Sequence, residues 1–218
     1  FSISSASSST VFAGGGNDTL SFGFSSSVPS GGSTSILHGG QGDDTVTFNG
    51  AQSDYVVQHH EGYTLVTSKA QPDAQAVVIN AETLRFSDAS LGVQTTAAQT
   101  QLSGLYQSVL GRQADYKGFD YWAVGAKNGA TMGDIAVSLI NSSEALKGSA
   151  SAFNGTVTHD LEALYQGIYG RQSDSAGLAY WIDAMNHGMT LALVADNFVQ
   201  GAEMNQHVVQ AANWDFVV

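Results

Sequence analysis

About half of this chain is written twice. The run LYQSVLGRQADYKGFDYW at 105–122 matches LYQGIYGRQSDSAGLAYW at 164–181 without a gap. The register persists beyond it, with Gly129 against Gly188, Thr131 against Thr190 and Glu144 against Glu203. Self-similarity at a fixed spacing means one supersecondary unit built two times. Of the three arginines in the chain, Arg112 and Arg171 share one repeat position, so the match is not compositional accident.

Each copy has helical period. Leu102, Leu105, Tyr106, Val109 and Leu110 follow the i, i+3, i+4, i+7, i+8 spacing of one apolar face. Gly111 suits the left-handed residue that ends a helix. Asp115 is a good N-cap for a second helix, whose inward face would carry Phe119, Tyr121 or Trp122. Gly129 ends that helix. Thr131 with Asp134 forms a capping box for a third, with Met132, Ile135, Ala136, Leu139 and Ile140 inward. Leu161, Leu164, Tyr165, Ile168, Asp174, Trp181, Leu191, Val194 and Phe198 repeat the plan. The aromatic positions at this spacing read as packing rather than as a sugar platform. A repeated Arg-x-x-Asp turn reads as a structural ion pair, Arg112 bridging helix-end carbonyls and the capping Asp115. The competing reading is an anion or sugar site formed with Tyr121 and Trp122.

Composition changes near residue 95. Upstream the chain is rich in Gly, Ser, Thr and Val, with short alternating runs. DYVVQ at 54–58 and YTLVT at 63–67 flank His59, His60, Glu61 and Gly62 as a hairpin. AVVI at 76–79 and TLRF at 83–86 read as two more strands, and 1–12 as a weakly alternating one. The low-complexity stretch 21–35 reads as a surface loop. The expected fold class is therefore α+β. A short β-roll or sandwich-like part over 1–95 precedes an all-α domain over 96–218, with three-helix repeats at 98–147 and 157–206.

Charge and composition exclude several functions. Nineteen acidic against seven basic residues leave a formal net charge of -12, which offers no basic face to nucleic acid or to anionic membrane. No apolar run reaches the roughly 18 residues of a membrane helix. Cysteine is absent, so disulfides, thiol chemistry and zinc–thiolate sites are ruled out. At 43% apolar the chain can still build a core.

Two segments point to calcium. AGGGNDTLS at 13–21 and GGQGDDTVT at 39–47 fit the nonapeptide G-G-x-G-x-D-x-U-x, with Ala13 in place of the first Gly. The glycines permit tight turns whose carbonyls converge, the Asp adds charge, and the apolar residue starts a strand packed inside the roll. Asp18 and Asp44 are the candidate side-chain ligands. Asn17, Asp43, Gly14, Gly16, Gly40 and Gly42 complete the turns, and Leu20 and Val46 point into the core. The competing reading is a pair of Gly-Asp turns that bind nothing.

These motifs resemble the repeats-in-toxin family of secreted bacterial proteins, which form a calcium-bound parallel β-roll. The resemblance implies an ion shared between motifs two apart, about 18 residues. Asp18 and Asp44 are 26 apart, so residues within 21–35 would be looped out, or each turn would bind alone. The strand-rich run through Glu82, Leu84, Phe86 and Asp88 is similar to the segment that follows such repeats. The helical motif Y-x-x-x-L-G-R-x-x-D-x-x-G-x-x-Y-W runs from Tyr106 to Trp122. It recurs from Tyr165 to Trp181, with Tyr169 replacing Leu. It resembles a domain of unknown function found near the C-termini of type I-secreted proteins and similar to phycobilisome linker modules. Trp214, Asp215, Phe216, Val217 and Val218 resemble a type I secretion signal. Phe1 in place of Met implies a processed chain or a piece of a longer one.

Catalytic motifs are missing. There is no H-E-x-x-H, no G-x-S-x-G and no P-loop. Adjacent His59 and His60 would point to opposite faces of a strand end. The sequence therefore predicts a non-enzymatic, secreted, calcium-binding structural protein of the cell surface or matrix: an adhesin, surface-layer or filament subunit. It would associate with itself through the N-terminal strand or the helical repeats. The alternatives are a carbohydrate-binding module that contacts surface glycans, and the C-terminal export and folding cassette of a larger secreted hydrolase.

Overall fold

A computed structural model of the chain describes residues 2–5, 8–25, 32–93, 97–112 and 114–204. The chain is mixed α+β. It divides between residues 96 and 97 into a β unit and a helical unit.

The β unit is a parallel roll. Its early strands alternate between two sheets: β1 Ser2–Ser5, β2 Thr10–Gly15, β3 Thr19–Phe24, β4 Ser33–Gln41 and β5 Thr45–Phe48. A 3-10 turn at Gln52–Asp54 leads to β6 Tyr55–His59, β7 Thr64–Ser68 and β8 Gln71–Ile79, then β9 Thr83–Arg85 and β10 Ser90–Gly92. The sheet orders are β1-β3-β5-β9-β10 and β2-β4-β8-β7-β6. β1, β3, β5 and β9 are parallel neighbours in one sheet, and β2, β4 and β8 in the other. The expected hairpin is present as antiparallel β6 and β7.

Register explains the core. Leu20 lies beside Val46, and Val46 beside Leu84, so one buried apolar column runs through β3, β5 and β9. Phe22 beside Phe48 starts a second column, and Phe48 stacks on Phe86 at 5.6 Å between centroids. The stretch 21–35 departs from the loop expected of it. Its ends belong to β3 and β4, because Leu20 and Phe22 alternate inward, as do Ser33, Ser35 and Leu37.

The helical unit holds eight helical segments among the described residues. The first copy contains α1 Ala97–Leu105 running on as a π-helical turn over Tyr106–Leu110, α2 Tyr116–Lys127, α3 Met132–Ile140 and the short α4 Ser143–Leu146. The second contains α5 Val157–Tyr169, α6 Ser175–Asn186 and α7 Leu191–Gln200. The caps are those the sequence dictates. Asp115 and Asp174 accept the amides of Gly118 and Gly177, and Thr131 with Asp134 forms the capping box. Gly111 and Gly170 end their helices at φ 66°.

The two copies interlock. A Cβ on Gly133 of α3 would lie 2.0 Å from the Ala192 carbonyl oxygen of α7, and Ala192 is the repeat equivalent of Gly133. α3 and α7 therefore touch backbone to backbone at matching positions. Leu102, Leu105, Ile135, Leu139, Leu161, Leu164, Ile168 and Phe198 fill one shared core.

Two local expectations are corrected. Phe119 is buried and Trp122 half-buried, but Tyr121 faces solvent, as does its equivalent Tyr180. Arg112 does not hold its helix end chiefly through Asp115, which is 3.7 Å away. Its main partner is Glu144, met bidentately at 2.5 and 2.8 Å, and Arg171 meets Glu203 likewise at 2.6 and 2.8 Å. A planar guanidinium matches a carboxylate in two parallel bonds, which a capping Asp engaged with its own helix cannot offer. Trp214 to Val218 lie outside the described residues.

Candidate metal site at the stacked glycine turns

The 26-residue offset places the two Gly-Asp turns directly over one another. Gly14 pairs with Gly40 across β2 and β4, and Thr19 with Thr45 across β3 and β5. One coil of the roll is thus 26 residues long at this point, and the surplus lies between β3 and β4. The turns need glycine for two reasons. Gly40 and Gly42 sit at φ 111° and 120°, where other residues are strained. A Cβ on Gly40 would also fall 1.8 Å from the Gly14 carbonyl oxygen, far inside van der Waals contact.

A third turn follows, and it carries no glycine motif. Pairing runs from His38 to Ile79 on one side and from Thr45 to Thr83 on the other, so Asn80, Ala81 and Glu82 close the coil with three residues fewer. Asn80 takes the left-handed conformation at φ 44°, where glycine stood in the longer turns.

The acids of successive turns form a ladder. Asp44 Oδ1 accepts the Asp18 amide at 2.8 Å, and Glu82 Oε2 accepts the Asp44 amide at 2.7 Å. Asn17 Oδ1 accepts the Asp43 amide at 3.1 Å. The Asp18 carbonyl takes the Thr45 amide at 2.9 Å, and the Asp44 carbonyl takes those of Glu82 and Thr83 at 3.1 and 3.0 Å. Each carboxylate thereby fixes the backbone of the turn before it.

Asp44 is the focus. It is 1% exposed, and its Oδ2 has no hydrogen-bond partner. That oxygen lies 2.6 Å, and the Asn80 carbonyl oxygen 2.1 Å, from the point a Gly39 Cβ would occupy. Only glycine at 39 lets the Asn80 carbonyl and the Asp44 carboxylate approach the backbone this closely. Burial pushes the Asp44 carboxyl above its ordinary range, the neighbouring charges of Glu82, Asp18 and Asp43 add to this, and the Asp18 amide partly offsets it. Asp18 is half-buried, while Asn17, Asp43, Gly16 and Gly42 lie at the rim and Gly14 and Gly40 between. His38, on the strand leading into the second turn, is buried, and burial lowers its pKa to about 4, so it is neutral at physiological pH.

Among the described residues no three His, Cys, Asp or Glu side chains converge on one point. A cation here would therefore draw on backbone oxygens as well as carboxylates. An all-oxygen donor set with one buried, unmatched carboxylate oxygen fits a hard cation such as calcium and does not fit zinc. His59 and His60 contribute nothing to it: His59 pairs with Thr64 and His60 stacks on Tyr63. Glu82 is the site residue that motif reading missed. The signal for it is the apolar column, since aligning Leu84 with Val46 sets Glu82 beside Asp44.

Comparison with known proteins places the helical unit. The family model described as Domain of unknown function (DUF4214) matches residues 88–148 and 152–208, more than half the chain. No curated protein matches. Among solved structures, the extracellular lipase LipA from Serratia marcescens aligns at 16% identity over 44% of this chain, with a TM-score of 0.26. The chain spans 17% of that lipase's length, and a likeness of this size sets neither fold nor activity.

Proposed function

The chain belongs to the DUF4214 family, whose two copies span its helical unit, and on that footing we propose that its β unit is a calcium-dependent folding module of a secreted surface or matrix protein. The observation that carries this reading is Asp44, a buried carboxylate with one unmatched oxygen and acidic neighbours on both sides. Taking such a charge out of water is costly unless an opposite charge meets it. Asp44 and Asp18 would hold the ion with backbone oxygens of the turns at Gly14, Gly16, Gly40 and Gly42, and Asn17 and Asp43 would form the rim. Bound calcium supplies the positive charge that lets the acidic turns stack.

The consequence is a switch. Where calcium is scarce, the like charges of the ladder oppose closure of the roll. Outside the cell, millimolar calcium binds the folded state alone and so adds its binding free energy to folding. The resemblance of the two nonapeptides to repeats-in-toxin proteins agrees with export before folding. No catalytic role is assigned to this chain. A structural role is favoured by β2, which ends its sheet among the described residues and carries the exposed Phe12. A strand at the end of a sheet can add a strand from a second copy.

Light scattering in millimolar calcium and then in excess EDTA tests the reading. Assemblies with calcium and smaller species without it are expected. A monomer in both buffers would remove the assembly role.

A further inference from the structure

We infer that Tyr121 and Tyr180 are two equivalent stacking platforms for a neutral glycan chain. Both rings belong to the helical unit, whose core and caps need no calcium. They occupy the same position of the 18-residue match between the copies. Most positions identical in both have a structural task. Leu105 and Leu164 are buried, as are Tyr106 and Tyr165. Gly111 and Gly170 end helices, Arg112 and Arg171 pair with glutamates, and Asp115 and Asp174 cap. Gly118 and Gly177 face the hydroxyls of Tyr106 and Tyr165 at 2.7 and 2.5 Å from where a Cβ would sit. Tyr121 and Tyr180 have no such task, being 68% and 63% exposed. A large exposed aromatic kept in both copies answers to something outside the fold.

Both rings are held ready. Tyr121 meets Trp122 edge-on at 4.9 Å and 78°, and Tyr180 meets Trp181 at 4.8 Å and 81°. Each tryptophan is half-buried and packs against the helical core, Trp181 meeting the Phe198 ring at 5.5 Å. The Trp is thus fixed by the core, and it fixes one edge of the exposed ring. A flat aromatic face stacks on the C–H face of a sugar ring, and preorganising it lowers the ordering cost of binding.

The surroundings select the ligand. The exposed neighbours one helical turn away are Lys117 and Val124 around Tyr121, and Ala176 and Asp183 around Tyr180. Such isolated rings lack the contiguous apolar area of a protein interface. The net charge of -12 disfavours a polyanionic chain. Two copies of one platform suit a polymer of repeated units.

The test uses the whole chain in calcium buffer, titrated calorimetrically with cellohexaose and chitohexaose. We expect binding of at least one of them with two sites per chain. Tyr121→Ala and Tyr180→Ala should each leave one site. The double variant should lose at least tenfold in affinity with an unchanged melting temperature, and Tyr121→Phe should retain binding. Failure of both saccharides to bind at millimolar concentration, or unchanged binding by the double variant, would overturn the inference.

Discussion

Asp44 holds a carboxylate in the interior with Oδ1 engaged and Oδ2 unmatched. Its folded pKa is raised, so ionisation works against folding. That group adds to stability at low pH, and the contribution is lost as pH rises through the folded value. Asp44→Asn keeps an acceptor for the Asp18 amide and removes the charge. In EDTA at neutral pH the variant should melt higher than the parent by an amount equivalent to about 1–3 kcal/mol. Its melting temperature should no longer respond to calcium, which thermal denaturation in the two buffers will read. Tyr106 offers a second check at this scale. It is buried, and burial, with the Asp115 charge adding to it, raises its pKa to about 12 against the ordinary 10. The folded state therefore prefers the neutral phenol, and stability should be lost as pH rises from about 10 to 12, by roughly 2–3 kcal/mol. Tyrosinate absorbance from Tyr106 should appear together with unfolding of the helical unit rather than before it.

Among elements, the α3–α7 contact matters more than the visible ion pairs. At Gly133 an added methyl would meet the Ala192 carbonyl, which belongs to backbone and cannot swing away. Gly133→Ala should cost about 3 kcal/mol through forced separation of the helices. Arg112→Ala should cost no more than about 1 kcal/mol, and less in high salt, because the pair with Glu144 is 39% and 47% exposed. Chemical denaturation of both variants will rank them. Much of this level was legible in the sequence. Caps follow from short local patterns, so Asp115, Thr131, Asp134 and Gly111 were readable one by one. The Arg112–Glu144 pairing spans 32 positions and has no local signature. Only the parallel recurrence of Glu144 and Glu203 hinted at it. Tyr121 was ambiguous for a different reason: in Phe119-Asp120-Tyr121-Trp122 periodicity alone allows more than one inward face. The site shows the same division. Asp18 and Asp44 stand in a glycine motif, whereas Glu82 reaches the ladder through a shorter turn with no motif at all.

At the scale of the molecule, two units with different physics share one chain. The helical unit is held by a continuous apolar core and by caps that need no ligand. The β unit has its own apolar columns, yet it stacks acids at one end of every coil. Calcium should thus act on one unit and leave the other unchanged. Amide hydrogen exchange, resolved by peptide, tests that asymmetry directly. With calcium, segments covering Thr10–Phe24, Ser33–Phe48 and Gln71–Arg85 should be strongly protected, and in EDTA they should exchange far faster. Segments covering α2, α3, α5 and α7 should exchange alike in both buffers. Equal protection of the β segments with and without calcium would contradict calcium-dependent folding of the roll.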